Sequence, residues 1–176
     1  MTGKSKYTAA VLTVSTGCAR GEREDGSGPV LLEGLMNLGL EVVETGLVPD
    51  EPEAIRERLL YCCEKLRVDL VLTTGGTGPG PSDITPEETG FLCDRLLPGL
   101  GELIRSEGAK KNPRAYLSRG VAGIRDRTLV VNLPGSPRGA GESLDAIAPI
   151  LIHALEMIAG GGHATGNMRP PDRPRG

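Results

Sequence analysis

The segment Asp69–Thr89, DLVLTTGGTGPGPSDITPEET, constrains the fold of this chain more than any other. It opens with an apolar run typical of a buried β-strand, continues into a Gly/Pro-rich bend, and enters a helical pattern at Pro86. Such a strand–loop–helix unit directs backbone N–H groups into a cleft at the end of a sheet, where they suit an anion and above all a phosphate. The segment therefore predicts an α/β fold with a phosphate site after this strand.

The rest of the chain alternates strand and helix patterns in the same way. We predict strands over Tyr7–Ser15, Leu40–Val48, Asp69–Thr74, Gly120–Ile124 and Thr128–Leu133, and helices over Pro29–Leu38, Glu51–Arg67, Pro86–Leu97, Leu100–Lys111 and Gly139–Ala159. Apolar strands that alternate with helices indicate a three-layer α/β/α sandwich with a mostly parallel central sheet. Ligands of such sheets bind beyond the carboxyl ends of the strands. We expect Thr16–Gly28 to be a polar loop, with the charge run Arg20–Asp25 solvated.

Length and composition limit the classes to which the chain can belong. We expect a flexible N-terminus over residues 1–6, one domain over residues 7–160, and a disordered tail rich in Gly, Pro and Arg over residues 161–176. The chain has no Trp and one Phe, which predicts an aliphatic core. Its 20 basic and 23 acidic residues argue against a general nucleic-acid binder. No apolar run reaches the ~20 residues that span a bilayer, so we expect a cytoplasmic protein without a membrane partner.

The cysteines and histidines point away from metal or triad chemistry. The four cysteines, Cys18, Cys62, Cys63 and Cys93, form no CxxC pair, and the chain has only two histidines, which argues against a zinc site. We expect reduced thiols that pack in the core, with a reactive loop thiol at Cys18 as the minor alternative. His153 lies in the middle of a predicted helix, where it is a packed or surface group and not part of a Ser–His–Asp triad.

The loop Gly75-Gly76-Thr77-Gly78 and two carboxylates are the strongest candidates for a site. The loop fits neither the Walker nor the dinucleotide pattern, and a tight turn without a ligand is the alternative interpretation. Asp50 and Asp83 follow neighbouring strands and flank the loop, which suits Mg²⁺ held against the phosphates of a nucleotide. At Asp50 the alternative interpretation is a helix N-cap. At Asp83 the alternative is a cap of the next helix, but Thr85 suits that N-cap position, with Glu88 completing a capping box, and this would leave Asp83 free to face the cleft.

Further polar residues are predicted to lie at the same edge of the sheet. Asn132 and Ser136 suit the edges of a heteroaromatic ligand, and the intervening prolines hold their backbone, although a plain Pro-Gly turn is the default interpretation. Ser15 ends the first strand, and Ser118-Arg119 precedes a later one. A lone arginine such as Arg119 is more often solvated or ion-paired than an anion ligand.

Four motifs in this order resemble the molybdenum-cofactor biosynthesis family of the MoaB and Mog type, which also forms the G domain of gephyrin. They are LTVSTGCARGEREDGSGPVL (Leu12–Leu31), VPDE (Val48–Glu51), TTGGTGPGPSDITPEET (Thr73–Thr89) and NLPGSP (Asn132–Pro137). PGLGELIR (Pro98–Arg105) and YLSRGVAGIRDRTLVVNLPG (Tyr116–Gly135) extend the match, which covers Tyr7 to Ala159. Many members carry Ser-Asp-Arg after the first strand, whereas this chain has Ser15-Thr16-Gly17-Cys18.

The resemblance implies an α/β/α homotrimer that binds molybdopterin. Members of its adenylyltransferase branch convert molybdopterin and Mg-ATP into adenylyl-molybdopterin and pyrophosphate, for use by a molybdate-inserting protein. The family's functional carboxylates, which hold Mg²⁺, fall on Asp50 and Asp83, and Gly75–Gly78 would cradle a phosphate. The pterin-binding positions it implies are Ser15, Ser118, Arg119, Asn132, Pro134 and Ser136. A non-catalytic molybdopterin carrier or scaffold is the alternative within the same family.

Overall fold

A single sheet of six strands forms the centre of the computed structural model, which describes residues 7–160. The strands are β1 (Thr8–Val14), β2 (Glu41–Val48), β3 (Leu70–Thr74), β4 (Arg95–Leu96), β5 (Ala122–Arg125) and β6 (Thr128–Leu133). Their order is β2-β1-β3-β6-β5-β4. The first four are mutually parallel, β5 pairs antiparallel with β6, and β4 pairs antiparallel with β5. The mostly parallel sheet predicted from the alternating pattern is confirmed.

Helices cover both faces of the sheet. They are α1 (Thr16–Ala19), α2 (Ser27–Asn37), α3 (Pro52–Leu60), α4 (Thr85–Leu92), α5 (Pro98–Lys111) and α6 (Pro137–Ile158), with a π-helical turn over Tyr61–Leu66 and a 3₁₀ helix over Pro113–Leu117. Buried side chains of α2, α5 and α6 pack on one face, and those of α3 and α4 pack on the other. The two cores are almost wholly aliphatic, and the three-layer α/β/α sandwich is confirmed. Within residues 7–160 no helix is both long and apolar enough to cross a membrane.

Two predicted element boundaries are wrong. The helix expected over Pro86–Leu97 ends at Leu92, because Arg95 and Leu96 pair antiparallel with β5 to form the edge strand β4. The expected loop over Thr16–Gly28 contains α1 and the first two residues of α2. Leu66, near the end of the helix predicted over Glu51–Arg67, is 37% exposed. It lies in the π-helical turn, which holds more residues per turn than an α-helix and so changes which side chains face the core.

The register of the parallel strands brings four loops together. Val14 pairs with Val48, Thr13 pairs with Thr74, and Thr74 pairs with Leu133, so β1, β2, β3 and β6 end at nearly the same level. The segments that follow these four strands therefore meet at one edge of the sheet. This is the edge where open α/β sheets bind their ligands.

Candidate active site

An open cleft of about 1360 Å³ lies over the carboxyl ends of the four parallel strands. This volume exceeds the roughly 300–1,000 Å³ of a pocket for one small ligand, so the cleft has room for two. Its lining includes the predicted residues Ser15, Asp50, Gly75, Gly76, Thr77, Gly78, Asp83, Ser118, Pro134 and Ser136. Of the predicted site residues, Arg119 and Asn132 do not line it.

The first two residues of the glycine loop must be glycines. Gly75 and Gly76 have φ angles of +98° and +63°, in the left-handed region that side chains disfavour. A Cβ atom on Gly75 would lie 2.3 Å from the carbonyl oxygen of Val14, and one on Gly76 would lie 2.3 Å from Thr85 Oγ1. The loop therefore turns back tightly against the end of β1 and the start of α4.

The loop presents three consecutive backbone amides that form no hydrogen bond with residues 7–160. Its framework is fixed elsewhere: Gly75 N–H donates to Leu133 O (3.1 Å), while the Thr85 hydroxyl and amide donate to the carbonyls of Gly75 (3.1 Å) and Gly76 (3.1 Å). The N–H groups of Gly76, Thr77 and Gly78 donate to no acceptor in the part of the chain that the structure describes. An arrangement of adjacent free N–H groups in a cleft is suited to a phosphate.

The predicted capping box at α4 is wrong. Ile84 holds the N-cap position, and Thr85 is already helical, with its hydroxyl bonded to the glycine loop. The Glu88 carboxylate turns away to pair with Arg56 on α3. The Thr-Pro-Glu-Glu motif therefore connects the helix to the glycine loop and to α3, and it does not close the first turn of α4.

Asp50 is not a helix cap, because Glu51 holds that position before α3. Its Oδ2 accepts hydrogen bonds from the amide (2.7 Å) and hydroxyl (2.8 Å) of Thr16, and the Asp50 amide donates back to that hydroxyl (2.9 Å). Its Oδ1 accepts no hydrogen bond from residues 7–160 and lies beside Gly76, 3.5 Å from the point that a Cβ atom there would occupy. One carboxylate oxygen thus anchors the loop after β1, and the other faces the glycine loop.

Asp83 closes the second half of the glycine loop. Its Oδ2 accepts from the Gly80 amide (3.0 Å), and its own amide donates to Gly80 O (3.1 Å). Its Oδ1 accepts no hydrogen bond from any described residue. Each of the two carboxylates therefore keeps one oxygen available.

The two carboxylates fit a magnesium ion better than a metal held by protein ligands alone. No group of three or more His, Cys, Asp or Glu side chains within residues 7–160 is placed to bind a metal. Mg²⁺ is typically held by one or two carboxylates, with phosphate and water oxygens completing its shell. Asp50 and Asp83, which lie beside Gly76 and Gly78 of the same loop, are the carboxylates that could contribute such ligands.

Arg119, predicted to bind a ligand, holds the glycine loop in place. Its Nε donates to Gly78 O (2.8 Å), its backbone amide donates to Thr77 O (2.8 Å), and its guanidinium also donates to Asp83 O and pairs with Glu87. Hydrogen bonding from Arg119 holds the pKa of the Glu87 carboxyl below its usual range, so the pair stays ionised at neutral pH. Every guanidinium nitrogen is thus used on the loop and α4.

Asn132, also predicted to bind a ligand, is buried beneath the cleft. Its Nδ2 donates to the hydroxyls of Thr73 (2.9 Å) and Thr89 (2.9 Å), and its Oδ1 accepts from the Val121 amide (3.2 Å). This side chain connects β6 to β3, to α4 and to the segment before β5. The structure gives it a role in holding these elements together and does not bring it to the cleft.

The remaining predicted residues reach the cleft mainly as caps and turns. Ser15 Oγ caps α1 by accepting from Cys18 N (3.3 Å) and also accepts from Arg23 Nη2 (2.9 Å). Ser136 Oγ accepts from Gly139 N (3.1 Å) at the start of α6, and Pro134 O accepts from the Thr74 hydroxyl (2.7 Å). In the turn before β5, Ser118 Oγ accepts from Gly120 N (3.3 Å). These four residues shape the rim while leaving the glycine loop amides open.

Several residues of the cleft were not predicted from the sequence. Thr16 anchors Asp50. The charge run is exposed over residues 20–24, as expected, and hydrogen bonds of Arg23 and Asp25 attach it to Ser15 and to the start of α2. Asp25 Oδ1 accepts from the amides of Ser27 (3.1 Å) and Gly28 (3.0 Å) at the start of α2. Asp25 lies one residue before the N-cap Gly26, and an Asp just ahead of a Ser-Gly-Pro helix start was a usable signal for these bonds.

Of the cysteines and His153, only Cys18 lines the cleft. All four cysteines are free, and the Cys18 thiol is buried, donating to Glu24 O (3.7 Å). Burial raises the pKa of Cys62 and Cys93 to about 11 and that of Cys63 to about 12, so these three are neutral at physiological pH. The His153 side chain lies on the surface, 69% exposed.

Comparison with known proteins identifies the family. The domain family described as a probable molybdopterin binding domain matches residues 10–153. The chain belongs to this family. It is 42% identical over 152 residues to a molybdopterin adenylyltransferase of Helicobacter pylori, covering 85% of this chain and 86% of that protein.

Solved structures of the family share the fold. The chain resembles the molybdopterin biosynthesis enzyme MoaB of Thermus thermophilus with a TM-score of 0.84 and 50% identity, covering 88% of this chain and 97% of that one. It resembles the tungsten cofactor synthesizing protein MoaB of Pyrococcus furiosus with a TM-score of 0.77 and 36% identity, covering 89% and 99%. The resemblance that the motifs indicated is confirmed.

Proposed function

We propose that this protein is a molybdopterin adenylyltransferase of molybdenum cofactor biosynthesis, which uses Mg-ATP and releases pyrophosphate. Relatives of that name, similar over most of the chain, support the activity. One observation in the site carries the proposal for ATP and Mg²⁺. Three unused amides, those of Gly76, Thr77 and Gly78, lie between the available carboxylate oxygens of Asp50 and Asp83 in one cleft.

The reaction joins two phosphates and needs little covalent help from the protein. An oxygen of the terminal phosphate of molybdopterin forms a bond to the α-phosphorus of ATP, the bond from that phosphorus to the oxygen bridging to the β-phosphate breaks, and pyrophosphate leaves with the electron pair. Because the nucleophile is already an anion, no proton must be removed. The protein has to align the two groups and offset their charge.

The residues of the cleft divide these tasks. The amides of Gly76–Gly78 bind a phosphate of the nucleotide, and the carboxylates of Asp50 and Asp83 hold Mg²⁺. When bound, Mg²⁺ neutralises the charge that develops on the leaving pyrophosphate. The Thr16 hydroxyl and Arg119 position this set, because they fix Asp50 and the glycine loop. Two carboxylates beside anionic ligands would weaken binding without a cation, which favours an enzyme over a plain carrier.

The decisive experiment measures pyrophosphate release with Mg-ATP, with and without molybdopterin. We expect release that depends on molybdopterin, reduced about a hundredfold or more in Asp50→Asn, because loss of the metal removes several kcal/mol of transition-state stabilisation. Asparagine keeps an oxygen for the two bonds from Thr16, so the fold is retained. Asp83→Asn keeps the bond from Gly80 and should likewise lose turnover while still binding molybdopterin.

Asp69→Asn is the matched control for Asp50→Asn. Asp69 Oδ2 accepts from the amide (2.8 Å) and hydroxyl (3.1 Å) of Thr8, the same arrangement as at Asp50, but it lies at the start of β3, at the opposite edge of the sheet. We expect full activity from this variant. Full activity of Asp50→Asn would refute the metal assignment, and molybdopterin binding by the unaltered protein without pyrophosphate release would identify a carrier.

We further propose a cytoplasmic homotrimer that passes its product to a molybdate-inserting protein. The edge strand β2 leaves Val43 and Leu47 exposed by 44% and 49%, which is suited to contact between subunits. Light scattering after size-exclusion chromatography tests the trimer, and a monomeric mass at micromolar concentration would refute it.

A further inference from the structure

The wall of the cleft opposite the two carboxylates is basic. Asp50 and Asp83 precede α3 and α4 on one face of the sheet, whereas the opposite wall is built from the helices of the other face. Lys111 ends α5, Arg114 lies in the 3₁₀ helix, and Arg138 lies in the first turn of α6. All three line the cleft, and we call Lys111, Arg114 and Arg138 the basic wall.

The positive charge of the basic wall is only partly balanced. A single carboxylate oxygen, Glu142 Oε1, lies 2.9 Å from Arg138 Nε and 3.3 Å from Lys111 Nζ. A hydrogen bond from Arg138, and to a smaller extent one from Lys111, holds the pKa of the Glu142 carboxyl below its usual range, so Glu142 is ionised at neutral pH. Arg114 forms no ion pair with any residue from 7 to 160. Lys111 and Arg138 thus share one carboxylate, and Arg114 has none within the described residues, in a chain whose net charge is −3.

Stabilisation of a helix end does not account for Lys111. Cations in the last turn of a helix interact favourably with its dipole, and both Lys110 and Lys111 lie in the last turn of α5. Lys110 pairs with Glu107 of the same helix (2.7 Å) and does not line the cleft. Lys111 instead reaches across the cleft rim to Glu142 on α6. The side chains of Lys111 and Arg138 are 55% and 79% exposed, so a ligand can reach them.

We propose that the basic wall is a phosphate subsite that works without a metal. Lysine and arginine bind phosphate through charge-assisted hydrogen bonds, and the arginine fork suits two oxygens at once. Glu142 competes with the ligand, because it pairs with Lys111 and Arg138 until a phosphate displaces it. The ligand is a phosphate group of one substrate, either the phosphomonoester of the pterin or the pyrophosphate end of the nucleotide.

The choice of ligand rests on the proposed adenylylation. In that reaction the basic wall and the wall that carries Asp50 and Asp83 have different tasks. In an in-line displacement the entering and leaving oxygens lie on opposite sides of the phosphorus. The carboxylates and the glycine loop bind one anionic group. The basic wall binds the second anionic group on the other side of the cleft and offsets its charge. Without the basic wall, the repulsion between the two anions would oppose their approach.

The direct test is the binding of inorganic pyrophosphate, measured by calorimetry in EDTA at low ionic strength. We expect Lys111→Gln and Arg138→Gln each to weaken binding on the order of tenfold, because each removes one charge-assisted hydrogen bond. Lys110→Gln is the matched control and should change binding less than twofold. Glu142→Gln should tighten binding severalfold, because it removes the competing carboxylate.

Two outcomes of this test would overturn the subsite. If Lys110→Gln and Lys111→Gln weakened pyrophosphate binding equally, the effect would come from the net charge of the protein and not from a specific subsite. A Glu142→Gln variant that binds pyrophosphate no more tightly than the unaltered protein would exclude competition by that carboxylate. The measurement involves no turnover, so its result is independent of whether the protein adenylylates molybdopterin.

Steady-state kinetics of the Lys111→Gln variant then identifies the source of the phosphate. A selective rise in the KM for molybdopterin assigns the basic wall to the pterin phosphate, and a selective rise in the KM for ATP assigns it to the nucleotide. An unchanged KM for both substrates would overturn its role in the reaction.

Discussion

Gly75→Ala tests whether the end of β1 holds the glycine loop as closely as the structure shows. Two effects add at this position. A left-handed φ costs an alanine about 1–2 kcal/mol. The new Cβ atom would also lie 2.3 Å from Val14 O, and that carbonyl cannot move freely because β1 pairs with strands on both sides. Such overpacking costs about 1–3 kcal/mol.

The two effects predict a loss of about 2–5 kcal/mol in the free energy of unfolding. That is a large part of the roughly 5–15 kcal/mol that stabilises a typical domain. Urea unfolding followed by circular dichroism measures the loss, with the slope against urea unchanged if only the folded state is affected. Pyrophosphate release should fall as well, because the loop amides move with Gly75.

Gly39→Ala is the control that separates the cost of the left-handed backbone conformation from the cost of the steric clash. Gly39 has a φ of +83° at the end of α2, and a Cβ atom there would have nothing within 4 Å. We expect it to cost only about 1–2 kcal/mol. Should Gly75→Ala cost no more than Gly39→Ala, the close approach of the loop to Val14 would be refuted.

Three further predictions concern residues that support the site or the core. Arg119→Lys should lower kcat for pyrophosphate release and leave molybdopterin affinity unchanged, because Arg119 holds the glycine loop; a matching loss of affinity would show direct contact with the pterin. Asn132→Ala should cost about 2–4 kcal/mol of unfolding free energy in urea titrations, because it leaves buried partners unpaired; a cost no greater than that of Asn112→Ala, at an exposed cap, would contradict this. Iodoacetamide at pH 8 should label Cys62 and Cys63 only after unfolding, and labelling of the native protein would refute their burial. Because the pKa of each thiol is raised in the folded state, the unfolding free energy should fall as the pH rises from about 9 to about 11.

Local patterns in the sequence predicted the sheet and most of the cleft. The apolar runs of the strands and the glycines that follow β3 depend on short stretches of chain. Parallel strands end at a common edge, so residues that follow them, such as Asp50, Gly76 and Ser136, were expected to meet there. The structure brings them together in one cleft.

Partners in hydrogen bonds and ion pairs were decided by the tertiary structure. Asn132 appeared to be a ligand-binding residue after a strand, but its amide bonds to Thr73 and Thr89, 59 and 43 positions away in the chain. Arg119 appeared to be a lone cation, yet its partners belong to the glycine loop and α4. Neither set of partners has a local pattern that could have revealed it.

The sequence by itself determined the fold class, the family and the edge of the sheet where the site lies, because periodicity, turn residues and ordered motifs are properties of neighbouring residues. The tertiary structure alone decided which side chains face the cleft and which hold it together. It also brought the basic wall together, from Lys111, Arg114 and Arg138 on three separate elements. The physical reason is that a side chain's role follows from the groups within a few ångströms of it, and packing, rather than chain order, selects those groups.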